Sequence, residues 1–137
     1  MKIIATILVA AMMFAGNVLT SKKKKITATV VNVTSNKGKV SFALYNKATF
    51  MKEPLQAKTA KIIDGKSTVT FEGLESGEYA VVCLHDKNDN NKMDFADNGM
   101  PLEDYGMSNN VMSFGPPNYS DSKFTLAEED LTLEIKF

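Results

Sequence analysis

From Lys25 onward, apolar side chains recur with a period of two, the signature of strands with one buried face. Ile26, Ala28 and Val30 alternate with Thr27 and Thr29, and the run continues through Val31 and Val33. Ser35-Asn36-Lys37-Gly38 follows as turn chemistry. Val40, Phe42 and Leu44 then alternate with Ser41 and Ala43, which predicts a hairpin between these first two runs. Residues 46–54 read as a longer connection broken by Pro54. Residues 57–63 and 67–71 flank Asp64-Gly65, a dipeptide suited to the consecutive left-handed conformations of a tight hairpin turn. Residues 78–85 are apolar on both faces, with Tyr79, Val81 and Cys83 on one and Ala80, Val82 and Leu84 on the other. That pattern predicts a central, well-buried strand. Residues 123–126 and 131–137 complete the set. Frequent turns between short strands predict an all-β protein: a single seven-stranded β-sandwich over residues 22–137, with a long ordered loop between strands five and six.

The opening has a different pattern. Lys2 precedes a run from Ile3 to Ala15 in which Thr6 is the one polar residue. This is the length of a signal-peptide core and is short for a bilayer span, so residues 1–21 are expected to be a secretory signal. Cleavage after Ala15, Gly16 or Ser21 fits the sequence. Lys22 to Lys25 run against the positive-inside tendency, and an uncleaved anchor is the alternative. The chain is accordingly expected to be exported from the cytoplasm. Once the signal is cleaved, it is not expected to be an integral membrane protein.

Composition narrows the chemistry. All 16 basic side chains are lysine and are matched by 16 acids. A neutral balance argues against a general nucleic-acid binder, and the lack of arginine removes bidentate clamps on phosphate. A single cysteine and a single histidine exclude an internal disulfide framework and any metal centre needing several imidazoles or thiolates. Cys83 on a buried strand reads as inert packing, and His85 at the strand end as structural. The charge is unevenly distributed. Residues 22–66 hold 11 lysines against two acids, whereas residues 67–137 hold four lysines against 14 acids. Such separation lets the two halves attract, or gives the domain a basic and an acidic face.

The richest stretch is His85-Asp86-Lys87-Asn88-Asp89-Asn90-Asn91-Lys92-Met93-Asp94-Phe95-Ala96-Asp97. Counted from Asp86, oxygen-bearing side chains at Asp86, Asn88, Asn90, Asp94 and Asp97 occupy positions 1, 3, 5, 9 and 12 of a calcium loop. Lys92, at position 7, would contribute its backbone carbonyl. Asn91 stands where glycine is expected, and asparagine tolerates the left-handed turn required there. Asp97 replaces the usual bidentate glutamate, and no helices flank the loop, so this is not an EF-hand. Calcium suits oxygen ligands on a flexible loop better than magnesium or zinc does. The same residues also serve Asx-turns, and both uses stay open. Downstream, the long connection to Ser122 shows no strand pattern. Its Tyr105, Asn109, Asn110, Phe114 and Tyr119 form a candidate surface for an envelope glycan or protein partner, or else staple the loop to the sandwich.

Gly77-Glu78-Tyr79-Ala80-Val81, leading into His85-Asp86 with Asn88, Asn90 and Asp94, resembles the bacterial family of unknown function DUF2141. The resemblance extends through Gly99-Met100-Pro101, Glu103, Tyr105-Gly106-Met107-Ser108-Asn109-Asn110, Phe114-Gly115-Pro116-Pro117 and Lys123-Phe124. It implies a secreted or periplasmic sandwich of Greek-key, transthyretin-like (prealbumin-like) outline, and it implies no activity. Family members often carry glycine where Asn91 stands here. The leading expectation is therefore a non-enzymatic exported binding or accessory module. The alternatives are a structural envelope scaffold and a metal-assisted hydrolase using Asp86, Asp94 or Glu103 as general acid or base.

Overall fold

The period-two runs form strands in two sheets, as expected of a sandwich, but with partners that the local pattern does not reveal. A computed structural model describes residues 22–111 and 116–137; the expected signal segment and Phe114 lie outside the described residues. The chain runs β1 (Lys24–Val30), β2 (Lys39–Tyr45), β3 (Gln56–Ala60), β4 (Ser67–Leu74), β5 (Gly77–Asp86), β6 (Tyr105–Met107), β7 (Phe124–Leu126) and β8 (Leu131–Ile135). A 3-10 turn at Ser108–Asn110 follows β6, and a single helical turn, α1 (Tyr119–Ser122), precedes β7. One sheet has the order β4-β1-β8; the other has β3-β2-β5-β6, with β7 also pairing β5. The fold is therefore nearly all β, in two layers. Among the described residues every strand and the whole core begin at or after Lys24, so a chain starting at Lys22 retains all of them.

Two expected hairpins are corrected. β1 and β2 do not pair: β1 lies between β4 and β8, while β2 lies between β3 and β5. Their connection is long enough to change layers, and it is held on the way by Val33, which is buried and bonded through its N–H to the Gly65 carbonyl at 2.8 Å. Asp64-Gly65 does form the expected tight turn, with φ of 53° and 73°. The ladder stops after the Ile63–Lys66 bridge, and β3 and β4 continue into different sheets. Along that seam, Gln56 and Lys58 donate to the Glu72 and Thr70 carbonyls at 2.8 and 2.6 Å. Long polar side chains thus satisfy an edge that no strand covers.

The core lies between the layers. Ile26, Ala28 and Val30 face Phe42, Leu44, Val81 and Cys83, with Phe71 and Ile135 filling the same cluster. Cys83 is fully buried, and burial pushes its thiol pKa well above the ordinary value, which favours the inert thiol. β5 is central as expected, flanked by β2 on one side and by β6 and β7 on the other. Its second face is less covered than expected: Val82 and Leu84 are half-buried.

The connection after β5 is also corrected. It contains β6, the 3-10 turn and α1, which raises the strand count from seven to eight. Three residues are too few to display a period, and β6 includes Gly106, which adds no side chain to the pattern. That glycine is required sterically, because a Cβ there would collide with the Lys136 carbonyl oxygen. Ser108 fastens the segment to β5 by accepting the Val81 N–H at 3.0 Å. Asn118 caps α1 by accepting the Ser120 N–H at 2.8 Å.

Candidate functional site

The Asp/Asn loop leaves the end of β5, where Asp86 is fully buried. Its two carboxylate oxygens accept the backbone N–H groups of Asn90 and Asn91, at 3.1 and 2.8 Å. The chain is thereby curled around its own first acid. Asp89 and Asn91 adopt left-handed φ of 59° and 64°, so asparagine does take the conformation expected at that position. Asp94 accepts from the Asn88 amide at 2.7 Å and from the Asn90 amide at 2.8 and 3.0 Å. These donations, with Asn90 first, hold the Asp94 carboxyl below its ordinary pKa. The Asn90 side-chain Oδ1 accepts the Lys92 N–H at 3.1 Å. Asp86, Asn88, Asn90, Lys92 and Asp94 thus belong to one hydrogen-bonded loop.

Asp97 does not join them. It is exposed in a separate turn, closed by Gly99 N–H to the Ala96 carbonyl at 2.9 Å. Among the described residues its carboxylate makes no hydrogen bond to the loop network.

Three other residues organise the loop from a distance. Glu103 is only 6% exposed and accepts the Lys87 N–H at 2.6 Å and the Asp94 N–H at 3.2 Å. One carboxylate therefore holds both ends of the loop. Lys39 on β2 pairs with Asp89 at 2.7 Å and also donates to the Asn91 side-chain oxygen. Gly38, at φ 72°, lies flat against the strand end; a Cβ there would collide with the Asp86 carbonyl oxygen. None of these residues fits a local spacing rule. A left-handed glycine in the 35–38 turn was the one sequence signal that could have flagged the contact.

His85 faces the core. Its Nε2 lies 2.8 Å from the Lys37 carbonyl, and its ring is parallel to Phe137 with centroids 6.3 Å apart. Its Nδ1 is the one buried side-chain polar atom without a partner among the described residues. The histidine and the cysteine are both enclosed.

The aromatic candidates do not form one cluster. Tyr119 meets Phe50 edge-on at 5.5 Å, and Phe50 meets Tyr45 at 5.6 Å. This places Tyr119 in a small polar hollow of about 390 Å³ beside Lys47 and Lys123. Tyr105 instead lines a larger groove on the outer face of the β3-β2-β5-β6 sheet. The Asn109 amide donates to the Asp121 and Lys123 carbonyls at 3.0 and 2.8 Å. Asn110 accepts the Lys136 N–H at 2.8 Å and donates to the Glu134 carbonyl at 3.1 Å, an amide standing in for a strand neighbour along β8. Both asparagine side chains hold backbone in place.

Among the described residues, no three His, Cys, Asp or Glu side chains converge as a metal cluster, and no helix is long and apolar enough to cross a membrane. No curated protein matches the sequence. Of solved structures, the pilus-presented adhesin Spy0125 (Cpa) is similar at 16% identity and a TM-score of 0.29, covering 86% of this chain and 27% of that one. A cysteine-to-alanine mutant of the same adhesin gives 16% identity, a TM-score of 0.28, and coverage of 84% and 27%. This chain therefore spans about a quarter of the adhesin chain it matches. The strand at Gly77–Asp86, the Asp/Asn loop and the Tyr105–Asn110 segment all fall inside residues 28–134, and over that range the chain belongs to the family described as an uncharacterized protein conserved in bacteria, DUF2141.

Proposed function

We propose that this chain is an exported, non-enzymatic binding or accessory domain of the bacterial envelope, with a loop at residues 86–97 that takes up calcium. The observation that carries the ion reading is the meeting of Asn88 and Asn90 with the Asp94 carboxylate, at 2.7–3.0 Å, beside the buried Asp86. Amide nitrogen and oxygen exchange places by a half-turn of the side chain, so Asn88 can present oxygen to a cation, as can Asn90 once its Oδ1 leaves the Lys92 N–H. Asp86 and Asp94 supply charge, Asn88 and Asn90 neutral oxygens, and Lys92 its carbonyl. All are hard donors, which fits calcium in preference to zinc. With two carboxylates, the expected affinity is that of extracellular modules, about 0.1–1 mM. Asp97 contributes only if its turn closes onto the loop.

The non-enzymatic reading is supported by the enclosure of His85 and Cys83, the residue types best suited to acid–base and nucleophilic work. Export is supported by the apolar run at residues 3–15. The transthyretin-like Greek-key outline belongs to the same proposal, and the repeated passage of the chain between the two sheets supports it. Titrating calcium into the chain starting at Lys22 tests the ion site. Heat of binding and a raised melting temperature at millimolar calcium are expected, both lost in Asp86→Ala/Asp94→Ala. A silent titration with an unchanged melt would overturn the reading.

A further inference from the structure

The large groove beside the loop has a floor of another character. Registration of β2 with β3 and β5 places Phe42 opposite Lys58 and Cys83 on the core side, and Ala43 opposite Ala57 and Val82 on the outer side. Small side chains, Ala57 and Thr59 of β3 with Ser41 and Ala43 of β2, pave half of that outer face. Val82 and Leu84 of β5 and Tyr105 of β6 continue it. At the usual strand spacing of ~4.8 Å, four strands make a floor roughly 14 Å across. Met51, from the connection between β2 and β3, lines one end of the strands, and Met93, Phe95 and Met100, from the connection after β5, line the other. Met51, Phe95 and Met100 are 52%, 60% and 62% exposed, a concentration of bare apolar surface in one concavity of about 1040 Å³.

The lining indicates what fits. Among the described residues no acidic side chain contributes to it, and the amine of the one lysine there, Lys58, is bonded to the Thr70 carbonyl of the opposite sheet, away from the groove. A charged occupant would find no counter-charge and would lose its hydration. A peptide would leave its backbone groups largely unpaired, because the floor consists of side chains and not of a free strand edge. A second copy of the chain would have to match a hollow with a hollow under two-fold symmetry. Concavity, apolar walls and a few scattered hydroxyls are the usual features of a small-molecule site, and methionine walls adapt to flexible chains. We infer that the groove binds an uncharged, elongated apolar molecule, a hydrocarbon chain lying along the strands between Met51 at one end and Phe95 at the other. This gives the proposed binding module its ligand class and rests on that reading, but not on calcium.

The test is titration of the chain starting at Lys22 with the uncharged dye Nile red, displaced by dodecan-1-ol, with chelator present throughout. Saturable binding is expected. Phe95→Ser and Ala57→Glu should each weaken it about tenfold, equivalent to about 1.4 kcal/mol. Ile63→Ser removes an equally bare apolar side chain outside the groove and should leave binding unchanged. Circular dichroism melts of all three variants confirm that they fold. Absent or unsaturable dye binding overturns the inference, as does equal loss in Ile63→Ser. Sedimentation showing a dimer that Phe95→Ser dissociates also overturns it, by giving the face to a second copy. Calcium heat without dye binding would sink the groove alone and leave the ion loop standing.

Discussion

The two-sheet body and the connection between β5 and β7 are held together by different physics. In the body, alternate apolar side chains are withdrawn from water, as with Ile26, Phe42, Phe71 and Ile135, which are at most 1% exposed. In the connection, polar side chains bind backbone: Asp86, Glu103, Ser108, Asn109 and Asn110 each hold a main-chain group that no strand reaches. The first mechanism is non-directional and tolerates repacking, whereas the second depends on particular atoms at hydrogen-bond distance. Stability therefore resides mainly in the body. The connection can carry recognition because its shape is set by bonds that a ligand can rearrange.

The sharpest way to break this contrast is at its two ends. Phe42→Ala leaves a cavity in the middle of the core and should lower unfolding free energy by about 3–5 kcal/mol in urea titration. A loss below about 1 kcal/mol would show that the sheets do not depend on this packing. Gly38→Ala acts where body and loop touch. Its left-handed φ and the collision with Asp86 should cost about 1–3 kcal/mol, with faster hydrogen exchange across residues 86–91. An unchanged exchange pattern would separate the turn from the loop.

Glu103→Gln retains one acceptor of the two and removes the charge. Exchange at the Lys87 and Asp94 amides should accelerate by about 1–2 kcal/mol of local opening, while the urea midpoint hardly moves. A comparable global loss would mean that the loop is part of the cooperative body. The smallest expected effect is that of acid on Asp94. Its folded pKa lies below the ordinary value, so its ordering contribution is complete above about pH 4 and is lost as pH falls further, through the depressed pKa. Carbon-detected titration of the Asp94 carboxyl should show this, and an ordinary or raised midpoint would remove the amide clamp.

The charge asymmetry of the sequence also has a structural counterpart. Lys23, Lys24, Lys25 and Lys39 pair with Glu75, Glu128, Glu72 and Asp89, each joining the lysine-rich half to the acidic half. These pairs link the two halves, although the acid of each is exposed and each adds little to stability.

The sequence by itself determined seven of the eight strands, because a period of two and a buried face are properties of neighbouring residues, and it missed β6, which is too short to show a period. It also determined the Asp64-Gly65 turn and the left-handed Asn91, since both are decided within a few bonds. Tertiary structure decided the partners. Whether β1 pairs β2 or β4 depends on how two layers share one core, and the alternation is the same in either case. It likewise decided that Lys39 and Gly38, far from the loop in the chain, and Glu103, just beyond it, hold the loop, and that Asp97, in register by counting, turns away. The groove is the clearest case. Its floor is the solvent-side half of patterns whose other half built the core, and only the stacking of β3, β2, β5 and β6 makes those small side chains one surface.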